Sequence, residues 1–174
     1  MCVTCIVGIT NGSSVYIGGD RSASDGDAIV SMCRPKVHVR GDWIFGYAGN
    51  IGKGQLLEFI TLPIVEDNDD PYCLLRLDVV ETLREAINTY SDNESDHTDW
   101  LIGCKGRLFE ISSDGWGVVE VKESSIGSGS TYALGSLHAT QDLLDVYMYR
   151  IDMALNAAIT YSPTCQGPVD ILSL

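Results

Sequence analysis

Positive charge is what this chain has least of. Eleven lysines and arginines stand against 24 aspartates and glutamates, a net charge of −13 over 174 residues. So acidic a surface repels phosphate backbones and anionic headgroups, and neither nucleic acid nor membrane is read as a partner. Long apolar runs are also missing; none approaches the roughly 20 residues of a membrane-spanning helix. Met1-Cys2-Val3-Thr4 lacks the basic segment of a secretory signal. The six cysteines (Cys2, Cys5, Cys33, Cys73, Cys104 and Cys165) show no framework spacing. Both features lead us to expect a reduced, cytoplasmic protein. Cys2-Val3-Thr4-Cys5 is formally a C-x-x-C, but no second pair at zinc spacing accompanies it, so small strand residues are the better reading. The Asn-x-Ser matches at Asn11 and Asn93 carry no weight in such a chain. Internal repeats, low-complexity tracts and linkers are absent.

What is present is 45% hydrophobic residues in a length that suits one domain, residues 1–174, with a sizeable core. Residues 4–10 and 14–20 read as two strands joined at Asn11-Gly12, a hairpin signal. Gly18-Gly19 before Asp20 predicts close backbone approach at the strand end. After a turn at Asp25-Gly26-Asp27, residues 28–32 and 36–48 read as further strands, broken at Arg40-Gly41-Asp42. Ile51, Leu56, Phe59 and Ile60 predict a helix from Asn50 to Leu62, with Pro63 after its end. Glu66 to Asp70 is an acidic loop; it lacks the spacing and glycine of a calcium loop and is read as a solvated turn. Asp70-Pro71 supplies an N-cap and a first-position proline. Leu74, Leu77, Val80, Leu83, Ile87 and Tyr90 then predict one amphipathic helix over 71–90.

Residues 91–99 are polar, and His97 there reads as solvated. Three short strands follow, at 100–104, 107–111 and 117–121, with turns at Lys105-Gly106 and Asp114-Gly115. Helices are expected from about Thr131 to Asp142 and from about Tyr147 to Tyr161, and a strand over Val169 to Leu174 closes the chain. Strands, two helices, strands, two helices and a strand suit an α+β fold. Two antiparallel sheets would pack face to face with helices on each outside.

The two opening strands bring a hydroxyl, an acid and a lysine to one sheet end: Thr4, Asp20 and Lys36. The run Thr4-Cys5-Ile6-Val7-Gly8, then Val15-Tyr16-Ile17-Gly18-Gly19-Asp20-Arg21-Ser22-Ala23-Ser24, then Pro35-Lys36-Val37, resembles the start of the proteasome beta subunit and HslV-like family. These are amino-terminal-nucleophile hydrolases, and the likeness is to the bacterial and phage type. It continues at Phe45 to Gly49, at Ile126 to Ala133 and around Ala154 to Ala158.

The resemblance implies a four-layer αββα sandwich and a self-compartmentalising threonine peptidase. It implies homo-oligomeric rings or stacked rings, unfolded polypeptide as substrate, an ATP-dependent unfoldase as partner and no cofactor. By resemblance Thr4 is the nucleophile, Asp20 and Lys36 its acid and lysine, and Gly46 the oxyanion glycine. Ser128 contacts the amino terminus, with Gly129 beside it. Ala23, Arg34, His38, Ile44 and Ala48 fall on the specificity pocket.

The chemistry is coherent. A threonine hydroxyl needs a base. Removal of residues 1–3, a short propeptide, would free the Thr4 α-amine, whose ordinary pKa of about 7.7–8.0 suits general base catalysis near neutrality. A lysine cation beside the hydroxyl and amine favours their deprotonated forms. The chain departs from the family at Tyr161-Ser162 and Cys165-Gln166-Gly167, where an Arg-Asp pair and Ser-Gly are usual. Ser162 can hydrogen-bond there but supplies no charge. Two rival enzymes share this frame: an amino-terminal cysteine hydrolase using Cys2, and a small-molecule amidase or acylase. A catalytically silent ring-forming homologue, acting as scaffold or binding module, is the non-enzymatic alternative.

Overall fold

A computed structural model describes residues 3–24, 28–90 and 97–174. The readings placed on Met1, Cys2, the 25–27 turn and Asn93 lie outside those residues. The chain opens with β1 (Ile6–Thr10) and β2 (Val15–Asp20), an antiparallel hairpin in which Ile6 faces Gly19. Its turn is built by Asn11, whose side chain accepts the N–H groups of Ser13 (2.9 Å) and Ser14 (2.8 Å), and by Gly12 at φ +86°. The pair is extended on one side by β10 (Glu123–Ile126) and on the other by β11 (Val169–Ser173), giving the order β10-β1-β2-β11. A second antiparallel sheet runs in sequence order: β5 (Val37–Arg40), β6 (Trp43–Gly49), β7 (Thr98–Cys104), β8 (Arg107–Ser112) and β9 (Val118–Val121). A two-stranded ribbon, β3 (Ser22–Ser24) with β4 (Ile29–Ser31), stands beside them.

Both sheets are covered on both faces, so the inner strands β1 and β6 are apolar at nearly every position. Between the sheets lie Ile6, Val15, Ile17, Val37, Ile44, Ala48, Leu101 and Leu108. On the far side of the first sheet, Val7 and Ile9 meet α4 (Ser130–Ala139) and α5 (Tyr147–Tyr161) through Ala133, Leu137, Ile151, Ala154 and Leu155. On the far side of the second, Trp43, Phe45, Tyr47, Trp100 and Phe109 meet Leu57, Leu75, Val79, Val80, Leu83 and Ile87. The architecture is therefore a four-layer αββα sandwich. Among the described residues no helix is long and apolar enough to cross a membrane.

Three expectations need correction. The helix expected over 50–62 is only α1 (Ile51–Leu56), capped by the Asn50 side chain. Gly52 and Gly54 weaken it, and Arg40 Nη1 binds the carbonyls of Leu57 (2.9 Å) and Ile60 (3.0 Å), holding the chain in turns instead. The 71–90 helix is interrupted. After α2 (Pro71–Leu74) comes a π-turn, Leu75–Val79, and then α3 (Val80–Tyr90). One added residue rotates the preceding segment by about 100°. Leu75 thus takes the core place predicted for Leu77, which is 66% exposed, and Tyr90 at the helix end is also exposed. Helix α4 stops at Ala139 rather than near Asp142, and the chain tightens into turns, with Gln141 N–H on the His138 carbonyl (3.3 Å) and Leu143 N–H on the Thr140 carbonyl (3.0 Å).

Candidate active site

The open end of the β1–β2 hairpin places Thr4 next to Asp20. Cys5 N–H donates to Asp20 Oδ1 (3.1 Å), and Asp20 N–H donates to the Cys5 carbonyl (3.1 Å). Lys36 immediately precedes β5, whose Val37 pairs with Gly46 of β6. Its side chain crosses to the hairpin end. Lys36 Nζ donates to Thr4 Oγ1 at 2.6 Å, to Asp20 Oδ1 at 3.0 Å and to the Val3 carbonyl at 3.3 Å. Three acceptors suit the three N–H donors of an ammonium. Thr4, Asp20 and Lys36 are all buried, at 3%, 0% and 1% exposure. An ion pair this dry depends on its hydrogen bonds, since desolvation otherwise outweighs the Coulombic gain. The Thr4 hydroxyl also donates to the Val3 carbonyl, so a hydroxyl, a cation and a peptide carbonyl share one small volume.

A second group of residues surrounds the Thr4 backbone. Thr4 N–H donates to Ser128 Oγ (3.3 Å), and Gly129 N–H donates to the Thr4 carbonyl (3.2 Å). Gly127, at φ +93°, has no room for a side chain: a Cβ would sit 2.4 Å from the Thr4 carbonyl oxygen. Gly129 is equally tight, 2.7 Å from Cys165 Sγ and 2.9 Å from Cys5 Cβ on the same construction. These two cysteines flank it, and burial disfavours the thiolate form of both. Burial pushes Cys5 up to about 12, and burial with the nearby Asp20 charge raises Cys165.

Gly46 lies in the middle of β6 between Val37 and Leu101. Its bare Cα faces the inter-sheet core, where a Cβ would lie 2.8 Å from Ile6 and 3.0 Å from Val37. The expected pocket residues divide. Ile44 and Ala48 lie in the inter-sheet core, and Ala23 is buried in β3. His38 turns to the other face against Phe45 (5.5 Å). There it meets Glu58, with Nε2 3.4 Å from Oε1, while the exposed Arg34 holds Oε2 at 2.9 Å. Burial lowers the His38 pKa, against the opposing pull of Glu58.

Ser162 caps α5 and is buried. It does not reach Thr4 directly: Ser162 Oγ lies 2.8 Å from Thr164 Oγ1, which lies 2.7 Å from Ser128 Oγ. Thr164 and Glu58 were not singled out from the sequence. A hydroxyl directly after a helix-ending Ser-Pro was the available signal for Thr164, and no spacing marked Glu58.

No family model and no curated protein matches the chain. Solved structures do. Thiobacillus denitrificans BPH, solved in complex with epoxomicin, has a TM-score of 0.82 at 20% identity, covering 98% of each chain. HslV from Trypanosoma brucei has a TM-score of 0.74 at 22% identity, over 98% of this chain and 99% of its own. Anbu, the ancestral beta-subunit, from Yersinia bercovieri has a TM-score of 0.74 at 21% identity, over 98% of this chain and 81% of its own. The likeness is one of fold, and the fold is that of the proteasome-like amino-terminal-nucleophile hydrolases.

Proposed function

We propose that this chain is a proteasome-like threonine peptidase that frees its own nucleophile by removing residues 1–3. The observation that carries the reading is the reach of Lys36 Nζ to both Thr4 Oγ1 (2.6 Å) and the Val3 carbonyl (3.3 Å). In self-processing, Thr4 Oγ adds to the Val3 carbonyl carbon. The Val3–Thr4 C–N bond breaks, the hydroxyl proton passes to the departing nitrogen, and Val3 is left as an ester on Oγ. Water hydrolyses that ester, releasing residues 1–3 and a free Thr4 amine. Throughout, the ammonium of Lys36 steadies negative charge on oxygen.

Turnover repeats the chemistry on a substrate. The Thr4 amine takes the hydroxyl proton, Oγ adds to the scissile carbonyl, and the amine returns the proton to the leaving group. The base is attached to the nucleophile, so little entropy is lost in aligning them. Ser128 and Gly129 hold the first residue, Ser162 supports them, and Gly46, paired on both sides within its sheet, lets β6 pack closely against Ile6 and Val37. The substrate is unfolded polypeptide, and the working form is a cytoplasmic ring or stacked rings that an ATP-dependent unfoldase feeds. The fold shared with HslV and Anbu supports this setting.

One observation favours a second reading, a silent ring-forming scaffold: Ser162 brings no carboxylate to the amino terminus. The intact mass of assembled wild type beside Thr4→Ala separates the two. Loss of Met1-Cys2-Val3 from wild type alone supports the peptidase. Loss of Met1 alone from both points to Cys2, and an unshortened wild-type chain that hydrolyses no peptide favours the scaffold. Hydrolysis of small amides but not peptides would instead indicate an acylase.

A further inference from the structure

We propose that Thr164 is a positioning residue, the middle of a charge-neutral hydroxyl relay that holds the Thr4 nitrogen where the peptidase reading needs a base. The inference rests on that reading. Pro163 disfavours a helical conformation at the residue before it, and Ser162 accordingly leaves α5 at φ −91°, ψ 125°. Its Oγ accepts the Thr164 N–H at 3.4 Å and lies 2.8 Å from Thr164 Oγ1. Thr164 Oγ1 lies 2.7 Å from Ser128 Oγ, which accepts from Thr4 N–H at 3.3 Å and lies 3.3 Å from the Thr4 carbonyl. Three hydroxyls in series thus run from the end of α5 to the reacting residue.

A hydroxyl both donates and accepts, so this chain can carry its protons in either direction. With Ser162 donating to Thr164 and Thr164 to Ser128, the Ser128 proton points to the Thr4 carbonyl. With the order reversed, Ser128 donates into the chain and offers both lone pairs to the Thr4 nitrogen. The relay therefore serves the amine and the ammonium alike. A carboxylate at Ser162 would only accept, and its charge would stabilise the ammonium and raise the pH at which the base becomes free. Thr164 supplies the all-oxygen link between Ser162 and Ser128; the Cys165 thiol lies against the same three hydroxyls, but it is a weak donor and a weak acceptor and carries the series poorly. The β-branched side chain of Thr164 has few rotamers, which keeps the link in place.

The test uses the full chain with Thr164→Val, Thr164→Ser and Ser162→Asp, after thermal melts confirm folding. On self-processed enzyme and a fluorogenic peptide, Thr164→Val lowers kcat by about tenfold with KM little changed, a fraction of the roughly 10²–10⁴-fold that a positioned base supplies. Thr164→Ser restores kcat to within about threefold, since it keeps the hydroxyl that the relay uses. Ser162→Asp moves the acid limb of the kcat/KM profile upward by about one pH unit, the size of a single charge–charge shift. Wild-type kcat in Thr164→Val, or an unmoved acid limb in a folded Ser162→Asp, overturns the relay. If wild type neither processes itself nor cleaves peptide, the peptidase reading has failed, and the relay is read on the intact chain instead. There Thr4 amide hydrogen exchange should speed up in Thr164→Val and not in Thr164→Ser, and equal rates in all three would overturn it.

Discussion

Replacing Lys36 by methionine should destabilise this protein as much as truncating a core leucine, because it strands a charge. Asp20 has no exposed surface, and Lys36 Nζ is its ionic partner at 3.0 Å. The other Asp20 oxygen, Oδ2, is buried without a hydrogen-bond partner among the described residues, so beyond the Cys5 N–H on Oδ1 the carboxylate has little to fall back on. Removing one member of a buried pair costs about 3–5 kcal/mol. With a urea m-value of about 2–3 kcal/mol/M, a loss of about 4 kcal/mol lowers the unfolding midpoint by roughly 1.3–2 M. Lys36→Met paired with Asp20→Asn removes both charges and should recover at least half of that loss, since a neutral pair of similar volume is often tolerated. Urea titrations of the two singles and the double give the coupling directly. Peptide hydrolysis should be lost in all three, so stability returns in the double variant while activity does not. A double variant no more stable than Lys36→Met would refute the reasoning, and the cost would then belong to packing around residue 36 rather than to the stranded Asp20.

Three further outcomes are expected. Gly46→Ala places a methyl 2.8 Å from Ile6 Cγ2 and should cost about 1–3 kcal/mol in urea unfolding, with hydrolysis reduced more than tenfold as β6 shifts. Leu83→Ala should lose about 2–5 kcal/mol while Leu77→Ser stays within about 0.5 kcal/mol, and equal losses would remove the π-turn register from the account. His97 should titrate above its ordinary value by NMR, because Asp99 (2.9 Å) and Asp114 (3.1 Å) together outweigh the desolvation that lowers it. Its raised folded pKa adds stability below the unfolded value of about 6.5, and that contribution fades as pH rises through the folded pKa; His97→Gln should flatten this small dependence, worth under about 1 kcal/mol for so exposed a group.

The α+β class and most strands were legible because strands buried on both faces are written as unbroken apolar runs, as in Trp43 to Gly49. β10 was not, since Glu123-Ser124-Ser125-Ile126 has no strand-like pattern and is extended because β1 offers it a partner. The 71–90 helix was legible as a helix but not in its phase, because apolar residues stood at both the regular and the shifted spacing, and only the packed core against Trp43 and Trp100 selects Leu75 over Leu77.

The same division holds at the site. Residue types and order along the chain were enough to nominate Thr4, Asp20 and Lys36, because a hydroxyl, an acid and a lysine at strand ends are chemistry that side chains carry by themselves; Gly46, Ser128, Gly129 and Ser162 were nominated by the family resemblance alone. Only the tertiary structure decided how they meet. Hydrogen bonds of 2.6 and 3.0 Å at Lys36 depend on two sheets closing over glycine-bearing strands. The oxygen link from Ser162 to Thr4 runs through Thr164, whose weak Ser-Pro-Thr signal says nothing of where its hydroxyl will lie. Covalent order sets which groups a strand end can offer; distance between strand ends is a property of packing, and packing is settled by the whole core at once.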